Sequence, residues 1–329
     1  MISRKRILFV DDEAAILASL GNLLRKDRHR WDLVFAHGGP EAARMLDETR
    51  FDVIVTDMRM PELDGAELLA LARTKSPRTV RIMLSGHAES EAVIRALPLV
   101  HQFLSKPCDI KTLRSVIEHC CQDTGVDPDR SATAATGAVP GLPSHPVRYT
   151  ELVQALADPL STAGRIVAIA ERDPAMAAKL LQVANTAYFG SGQTIISITA
   201  AVASIGIDMI RELARSQIFM PARVLAAGFS IDELCETSVW RAQQARRAAK
   251  PERGDEAYAI ALLRDLGRLV LAVEMPDRYA DVLAIAARTG RPLGDVECEQ
   301  LGVMHPAIRD QLFMLWALPD ELAHASTSA

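Results

Sequence analysis

The feature that most constrains this chain is the alternation of short apolar runs with helical patterns over its first 122 residues. Five runs have the length and β-branched content of buried strands: Arg6–Val10, Asp32–Ala36, Asp52–Thr56, Val80–Leu84 and Gln102–Leu104. Between them, segments such as Ala15–Leu24 and Gly65–Arg73 carry leucines and alanines at helical spacing. Strands that alternate with helices predict a doubly wound α/β domain with a five-stranded parallel sheet.

Polar residues follow four of the predicted strands, at the edge where this architecture binds ligands. Asp11 and Asp12 follow the first strand, Asp57 the third, Ser85 the fourth and Lys106 the fifth. Each residue alone is more typical of a helix cap or a surface turn, but their joint occurrence on successive strand ends favours a site. Converging carboxylates repel one another, and a hard cation such as Mg²⁺ neutralises them. With an ammonium and a hydroxyl beside them, the set suits phosphoryl transfer to a carboxylate.

The motifs at these positions also resemble a known family. RILFVDDE, VIVTDMRMPELDGAELL, IMLSGHAE and FLSKP are similar to the receiver domain of two-component response regulators, with its flavodoxin-like fold, over residues 4–121. The resemblance implies that Asp57 accepts a phosphoryl group from a phosphohistidine on a sensor histidine kinase. It also implies that Asp12, Asp57 and the backbone carbonyl of Arg59 ligate Mg²⁺, and that Asp11 acts through a metal-bound water.

The same resemblance implies how the domain responds to phosphorylation. Ser85 and Lys106 would contact the phosphoryl oxygens, and Phe103 would be the aromatic switch that reorients as Ser85 moves. Phosphorylation adds up to about two negative charges at a carboxylate-rich site, which is sufficient to bias a two-state element. We therefore expect the face that follows the fourth and fifth strands to respond.

A second feature divides the chain. Residues 123–141 combine Gly, Pro, Ser, Thr and Ala with few large apolar side chains, which predicts a flexible linker between a receiver domain at 1–122 and a second domain at 142–329. The first 122 residues carry a net charge of +1 and the remainder −6. An acidic second domain is a poor match for the phosphate backbone of DNA, which requires clustered cations.

From Leu142 onward the strand-like runs disappear and helical spacing predicts an all-α domain. The predicted helices are Asp158–Ala170, Pro174–Ala187, Ser197–Ile210, Glu256–Val273 and Asp277–Arg288. The blocks LPSHPVRYTELVQALADP, ERDPAMAAKLLQVANTAYFG and ISITAAVASIGIDMIREL resemble the HDOD domain, a degenerate relative of the HD and HD-GYP metal-dependent phosphohydrolases. Relatives commonly continue with more helix and a histidine pair, so we expect the last helical subdomain to be shortened here.

The resemblance also directs attention to a missing metal site. Where a catalytic HD domain carries adjacent His and Asp ligands, this chain has Arg264 and Asp265. Arginine cannot ligate a metal, because it stays protonated. The second half holds three scattered histidines, His145, His305 and His324, too few for a hydrolytic centre. The sequence therefore predicts no catalytic residues in the helical domain, with Asp265 as an ion-paired or capping residue and His305 as a helix-start residue.

Two further patterns admit a functional and a structural interpretation. The cluster Arg241, Arg246, Arg247 and Lys250 suggests nucleic acid by itself, but within a domain of net charge −6 it is more typical of a solvated helix face. Asn185, followed by Tyr188 and Phe189, either marks a partner-binding edge or ends a helix; a C-cap in the left-handed conformation is the simpler interpretation.

Composition sets the remaining limits. The sequence has no run of 18 apolar residues and no signal peptide pattern, so we expect a cytoplasmic protein that does not enter a membrane. The five cysteines are odd in number and lack C-x-x-C spacing, which favours reduced thiols over a disulfide framework or a zinc ribbon.

The leading hypothesis is a response regulator whose phosphorylation on Asp57 controls a non-catalytic HDOD output domain that binds a downstream protein. One rival is a receiver-controlled, metal-dependent cyclic-nucleotide phosphodiesterase. Another is a DNA-binding regulator, which the charge distribution disfavours. The sequence identifies neither the kinase nor the downstream protein, and it leaves open whether phosphorylation drives homodimerisation through the receiver.

Overall fold

The computed structural model of the chain describes residues 4–86, 95–121, 142–186, 194–216, 219, 224–316, 318–319 and 321–322. The chain divides into two compact units, Met1–Asp123 and Thr124–Ala329. The predicted linker, residues 123–141, lies outside the described residues, as do His324, Tyr188 and Phe189. Among the described residues, no helix is both long enough and apolar enough to cross a bilayer.

The first unit is built on a five-stranded sheet in the order β2-β1-β3-β4-β5, with every neighbouring pair parallel. The strands are β1 Lys5–Asp11, β2 Trp31–His37, β3 Val53–Asp57, β4 Val80–Ser85 and β5 Gln102–Ser105. The helices are α1 Ala14–Leu23, α2 Gly39–Glu48, α3 Gly65–Lys75 and α4 Ile110–Cys121. The prediction of a doubly wound parallel sheet is confirmed, with strand ends within one residue of those expected.

The apolar runs form strands because helices cover the sheet and the central strands are buried on both faces. Ile7, Leu8 and Phe9 of β1 are fully buried, and all six residues of β4 are buried. The pairing places Asp57 beside Leu84 and Ser85 beside Ser105. The ends of β1, β3, β4 and β5 therefore meet at one edge of the sheet.

The second unit is helical, as predicted. Its helices are α5 Pro146–Ala157, α6 Ala163–Ala170, α7 Pro174–Ala184, α8 Ile198–Ile205, α9 Ile207–Arg215, α10 Ile231–Ala248, α11 Gly254–Leu262, α12 Leu266–Glu274, α13 Pro276–Thr289, α14 Leu293–Leu301 and α15 His305–Leu315. Every residue of α7 is buried, so this helix forms the centre of the core. The side chain of Asp173 caps α7 by accepting from the amide of Met176 at 3.0 Å.

Four of the predicted helices have wrong boundaries, among them Pro174–Ala187, which ends at Ala184. The pattern over Ser197–Ile210 spans two helices, α8 and α9, because Gly206 between them has φ +80°, a conformation that ends a helix. The pattern over Glu256–Val273 likewise spans α11 and α12, with Asp265 at the N-cap position of α12. Another, predicted from Asp158, begins only at Ala163, where Thr162 caps α6. Apolar spacing persists across such breaks because both helices face the same core.

Candidate functional site

Three carboxylates converge at the carboxyl edge of the sheet. Asp11 is the last residue of β1, Asp12 follows it, and Asp57 is the last residue of β3. One carboxylate oxygen from each lies within 4.8 Å of those of the other two. Asp11 is buried, whereas Asp12 and Asp57 are partly accessible. The structure thus brings together the acidic residues predicted from the strand ends.

Lys106 bridges two of these carboxylates. Its Nζ lies 2.7 Å from Oδ1 of Asp57 and 3.0 Å from Oδ2 of Asp11. The amide of Lys106 donates to the carbonyl of Ser85 at 2.8 Å, which extends the β4–β5 pairing and fixes where the lysine leaves the strand. A partly buried ammonium between two carboxylates is a charge-assisted arrangement that holds all three groups in place.

The pKa values in the cluster reflect burial and these ion pairs. Burial raises the pKa of the Asp57 carboxyl above its ordinary value, although the hydrogen bond and charge of Lys106 act in the opposite direction. Burial acts to lower the pKa of Lys106, but its bonds to Asp57 and Asp11 outweigh that effect and raise it. The lysine therefore stays cationic at neutral pH, while negative charge on Asp57 is costly without further positive charge.

The residue types fit a hard divalent cation. All three acidic side chains offer oxygen ligands, which is the donor set that Mg²⁺ prefers, and their spacing lets one ion reach each of them. Burial and the charge of Asp11 both act to raise the pKa of Asp57, so a cation nearby would favour its ionised form. Arg59, whose carbonyl the receiver resemblance makes a ligand, lies two residues beyond Asp57 with its side chain exposed.

Ser85 and Phe103 lie on the two strands that end beside Lys106. Ser85 is the last residue of β4 and is 6% exposed; its Oγ donates to the carbonyl of Gly86 at 3.2 Å. Phe103 lies in β5 and is also 6% exposed, so its ring is turned into the protein. The two residues predicted to respond to phosphorylation are thus on adjacent strands.

Sequence reasoning treated Gly65 only as a helix start, but the structure gives it a second role. A Cβ at this position would lie 2.1 Å from the carbonyl oxygen of Asp57 and 3.1 Å from the Cα of Met58. The amide of Gly65 donates to the carbonyl of Met58 at 2.9 Å. The start of α3 therefore packs directly on the backbone of the central carboxylate. The Asp-Gly pair after the third strand was the available signal.

The Gly65→Ala substitution is expected to displace the Asp57 backbone. The clash is with backbone atoms, which cannot rotate away, so we expect a loss of about 1–3 kcal/mol in the stability of the first unit and reduced labelling of Asp57 by acetyl phosphate. Urea unfolding and labelling of the purified protein measure the two effects.

Gly21→Ala serves as the matched control. Gly21 lies inside α1, and a Cβ there would be 3.5 Å from the ring of Phe35, which is an ordinary contact. Alanine is the better helix former, so this variant should be neutral or more stable by about 0.5–1 kcal/mol. Equal behaviour of the two variants would contradict the role assigned to Gly65.

The predicted degenerate metal position in the second unit is occupied by ion pairs. Arg264 is exposed, and Asp265, 7% exposed, is paired with Arg241 of α10. Its other oxygen lies 4.0 Å from Nε2 of His305. Of the two roles expected for Asp265, ion pairing or capping, the structure shows the ion pair; Asp265 is at the N-cap position of α12 but its side chain makes no capping hydrogen bond. Within the described residues, the one group of three or more acidic, histidine or cysteine side chains with metal-binding spacing is Asp11, Asp12 and Asp57.

His305 begins α15, as predicted, and is held by a buried carboxylate. Its Nδ1 lies 2.7 Å and its amide 2.9 Å from Oε2 of Glu297, which is fully buried in α14. The hydroxyl of Tyr279 donates to Oε1 of the same carboxylate at 3.0 Å. Glu297 thus joins α13, α14 and α15, a structural role that sequence reasoning missed because a lone glutamate in a helix carries no distinctive pattern.

The basic cluster lies on α10, except for Lys250 just after it, and only part of it is the solvated face that the sequence predicted. Arg246 pairs with Glu171 and lies 3.0 Å from Asp255, and its guanidinium stacks on Tyr258 at 3.9 Å from the ring centroid. Arg241 pairs with Asp265. Two cations of the cluster are therefore engaged within the domain.

Asn185 caps α7 but in the right-handed conformation, so the predicted left-handed geometry is wrong. Its side chain bonds both the amide and the carbonyl of Ile195, at 2.9 and 2.7 Å.

Comparison with protein families agrees with this architecture. The model of the response regulator receiver domain matches residues 7–118, and that of the HDOD domain matches residues 142–328, more than half of the chain. The chain belongs to the HDOD family. Its first unit is a receiver domain, and the combination identifies a two-component response regulator. The acidic cluster therefore lies in the domain type that typically binds Mg²⁺ through such a pocket.

The curated relatives match this chain over 117 to 119 residues, about the length of its receiver domain. The transcriptional regulatory protein GlrR of Escherichia coli (strain K12) is 32% identical over 119 residues, covering 36% of this chain and 26% of that protein. The response regulator protein PilR of Pseudomonas aeruginosa is 32% identical over 117 residues, covering 35% and 26%. The chain thus spans about a quarter of the length of these relatives.

Two solved structures are similar to parts of the chain. A virulence factor from Campylobacter jejuni superimposes with a TM-score of 0.51 at 22% identity, covering 60% of this chain and 73% of that chain, and supports the fold alone. The signal receiver domain of an HD domain-containing protein from Pseudomonas fluorescens Pf-5 is 29% identical with a TM-score of 0.34, covering 36% and 88%.

Proposed function

We propose that the protein is a phosphorylation-dependent regulator in which Asp57 accepts a phosphoryl group from a sensor histidine kinase. The HDOD domain then acts, without catalysis, by binding a downstream protein. The observation that carries the first part is the convergence of Asp11, Asp12 and Asp57 at the carboxyl edge of a parallel sheet, where Lys106 bridges Asp11 and Asp57. The receiver domain assignment supplies the class of phosphoryl donor.

In the proposed reaction a carboxylate oxygen of Asp57 attacks the phosphorus of a phosphohistidine. The new P–O bond forms as the P–N bond breaks, and the imidazole leaves with the electron pair of that bond. Asp12, Asp57 and the carbonyl of Arg59 would hold Mg²⁺, and Asp11 would act through a water. The ion would neutralise negative charge on the phosphoryl oxygens. Lys106 supplies a second positive charge from its place beside Asp57. Because Asp57 is itself the nucleophile, the protein has only to position it.

The proposed switch connects this site to the neighbouring strands. Phosphorylation would draw the Ser85 hydroxyl and the Lys106 ammonium toward the new oxygens, since both are donors at the ends of adjacent strands. Movement of Ser85 would free space for Phe103 in β5 to reorient. This step is supported by the positions of Ser85 and Phe103, which are both buried and lie on the paired strands β4 and β5.

A non-catalytic output is supported by the chemistry at Asp265. The Asp265 carboxylate, which a hydrolytic centre would use to bind a metal, is instead paired with the guanidinium of Arg241. The adjacent Arg264 cannot ligate a metal. The net charge of −6 in the second half further disfavours DNA as the partner. We therefore propose that the output is a protein–protein contact, with domain boundaries near 122 and 142 and action in the cytoplasm.

The test is capture of partners by the full chain in two phosphorylation states. Immobilised wild-type protein and the Asp57→Asn variant are each incubated with lysate of the source cell, with and without acetyl phosphate and Mg²⁺. We expect at least one protein to bind wild type differently when the phosphoryl donor is present, and the variant to show no difference. Capture that ignores both the donor and the substitution would reject the switch. Sizing of the same samples shows whether phosphorylation produces a homodimer.

One assay distinguishes the enzymatic alternative, a cyclic-nucleotide phosphodiesterase, from the proposed function. The purified protein is incubated with a cyclic dinucleotide and Mn²⁺ or Mg²⁺, and products are separated by chromatography. We expect no hydrolysis above a protein-free blank. Metal-dependent hydrolysis that disappears in Asp265→Asn would instead establish a phosphodiesterase.

A further inference from the structure

A cavity of about 470 Å³ lies in the second unit between the start of α5 and one face of α10. We call it the α5–α10 groove. His145, Val147 and Arg148 line one side, together with Arg172 from the turn before α7. The α10 wall consists of Asp232, Cys235, Glu236, Val239, Trp240 and Gln243. These positions recur at helical spacing, so they form a single stripe along α10.

Trp240 is the most unusual member of the α10 wall. Its side chain is 62% exposed, whereas Trp31 and Trp316 are each 3% exposed. Among the described residues, its indole has no aromatic or cationic partner. Val147 across the groove is 53% exposed. The groove therefore presents an accessible indole face opposite a second exposed apolar side chain.

The charges of the groove are distributed unequally between its two sides. Arg148 and Arg172 both turn toward Glu151, at 2.6 and 3.4 Å from its two oxygens, so one carboxylate neutralises part of their charge. On the α10 wall, Glu236 has no ion-pair partner among the described residues, and Oδ1 of Asp232 lies 2.6 Å from Nε2 of His145. Arg148 and Arg172 with Glu151, Asp232 and Glu236 make two positive and three negative charges, and Glu236 lies on the same wall as Trp240.

We propose that the α5–α10 groove binds a lysine- or arginine-bearing segment of a partner protein, with the cation over the indole of Trp240 and paired with Glu236. An indole face beside a carboxylate is the combination that attracts an ammonium or a guanidinium, because the ring quadrupole and the carboxylate act in the same direction. Trp240 and Glu236 are four residues apart on one helix, so both reach the same side chain. This inference rests on the proposed function, in which the second unit acts by binding a protein.

The test uses a fluorescein-labelled nine-residue peptide in which serine alternates with arginine, and a matched peptide with glutamate in place of arginine. Fluorescence anisotropy with the purified full chain at physiological ionic strength measures binding. We expect saturable binding of the arginine peptide alone, weakened about tenfold by Trp240→Ala and about three- to tenfold by Glu236→Gln. Both side chains are exposed, so neither substitution disturbs the core.

Glu233→Gln is the matched control. Glu233 lies in the first turn of the same helix and is exposed, but it does not line the groove. Removing its charge should leave the affinity unchanged. Equal weakening by Glu233→Gln and Glu236→Gln would reduce the interaction to general electrostatics and overturn the proposal. Binding of the glutamate peptide, no saturable binding of the arginine peptide, or self-association of the protein that Trp240→Ala abolishes would each overturn it as well.

Different results would reject the proposed peptide-binding groove and the proposed phosphorylation switch. Asp57→Asn should bind the arginine peptide like wild type, and Trp240→Ala should accept label from acetyl phosphate like wild type. Loss of peptide binding alongside phosphorylation-dependent partner capture would reject the groove and leave the proposed function intact. Peptide binding without such capture would reject the switch instead.

Discussion

The Asp57→Asn variant is expected to lose labelling by radioactive acetyl phosphate in the presence of Mg²⁺, down to the level of a protein-free blank. The amide has no anionic oxygen to attack phosphorus, and it replaces one of the three carboxylates of the acidic cluster by a neutral group. Asn is nearly isosteric with Asp, and the β3 backbone is held on both sides by β1 and β4. The loss should therefore be chemical rather than a consequence of unfolding.

Asp47→Asn is the control for this measurement. Asp47 lies in α2, is exposed and pairs with Lys75, away from the acidic cluster. Its replacement should leave labelling at the wild-type level. Undiminished labelling of Asp57→Asn would place the phosphoacceptor on another residue, and matching losses in both variants would point to a general loss of structure.

The second large effect concerns Lys179 in the centre of the helical domain, which should make stability depend on pH. Lys179 is 3% exposed, and burial lowers its pKa to about 7 from an ordinary value of 10.5. Its Nζ donates to Oε1 of Gln182 at 2.8 Å and lies 5.1 Å from the ring centroid of Trp316. Among the described residues it forms no salt bridge with a carboxylate, so the ammonium is poorly compensated.

The direction of the pH effect follows from proton binding. Between pH 7 and 10.5 the unfolded chain holds a proton on Lys179 that the folded chain has released, so the free energy of unfolding increases with pH across this window. The slope is at most about 1.4 kcal/mol per pH unit. Below pH 7 both states are protonated and the full penalty is present.

Lys179→Met should remove this slope and raise the stability of the domain at pH 7 by roughly 3–5 kcal/mol, because methionine fills a similar volume without a charge. Urea unfolding at several pH values between 7 and 9.5 measures both effects. Lys250→Met, at an exposed lysine, should retain the wild-type slope. A slope that survives in Lys179→Met, or a variant less stable than wild type at pH 7, would show that this lysine is compensated in the folded state.

The receiver site was predictable because it depends on chain order. In a doubly wound parallel sheet the carboxyl ends of the strands meet at one edge, so residues 11, 12, 57, 85 and 106 had to be neighbours once the strands were recognised. The pattern did not reveal Gly65, because the clash it avoids is with the backbone of a different element. Close approaches between elements leave no periodic signal.

In the helical domain the same reasoning was less complete. Apolar spacing predicted helices but ran through the breaks at Gly206 and before Asp265, since both flanking helices face one core. The partners of Asp265 and His305 lie on other helices, 24 and 8 residues away along the chain, and helical packing has no rule comparable to the common edge of a parallel sheet. The sequence therefore predicted that metal ligands are missing at Arg264 and Asp265, but it did not predict the ion pair between Arg241 and Asp265.

By itself, then, the sequence determined the α/β class, the two-domain division and the set of residues at the sheet edge, because strand periodicity and chain order dictate them. Only the tertiary structure decided that Lys106 bridges Asp11 and Asp57, that Glu297 joins three helices, and that Trp240 faces an open groove. Those features depend on distances between side chains from separate elements, and such distances are set by packing rather than by local pattern.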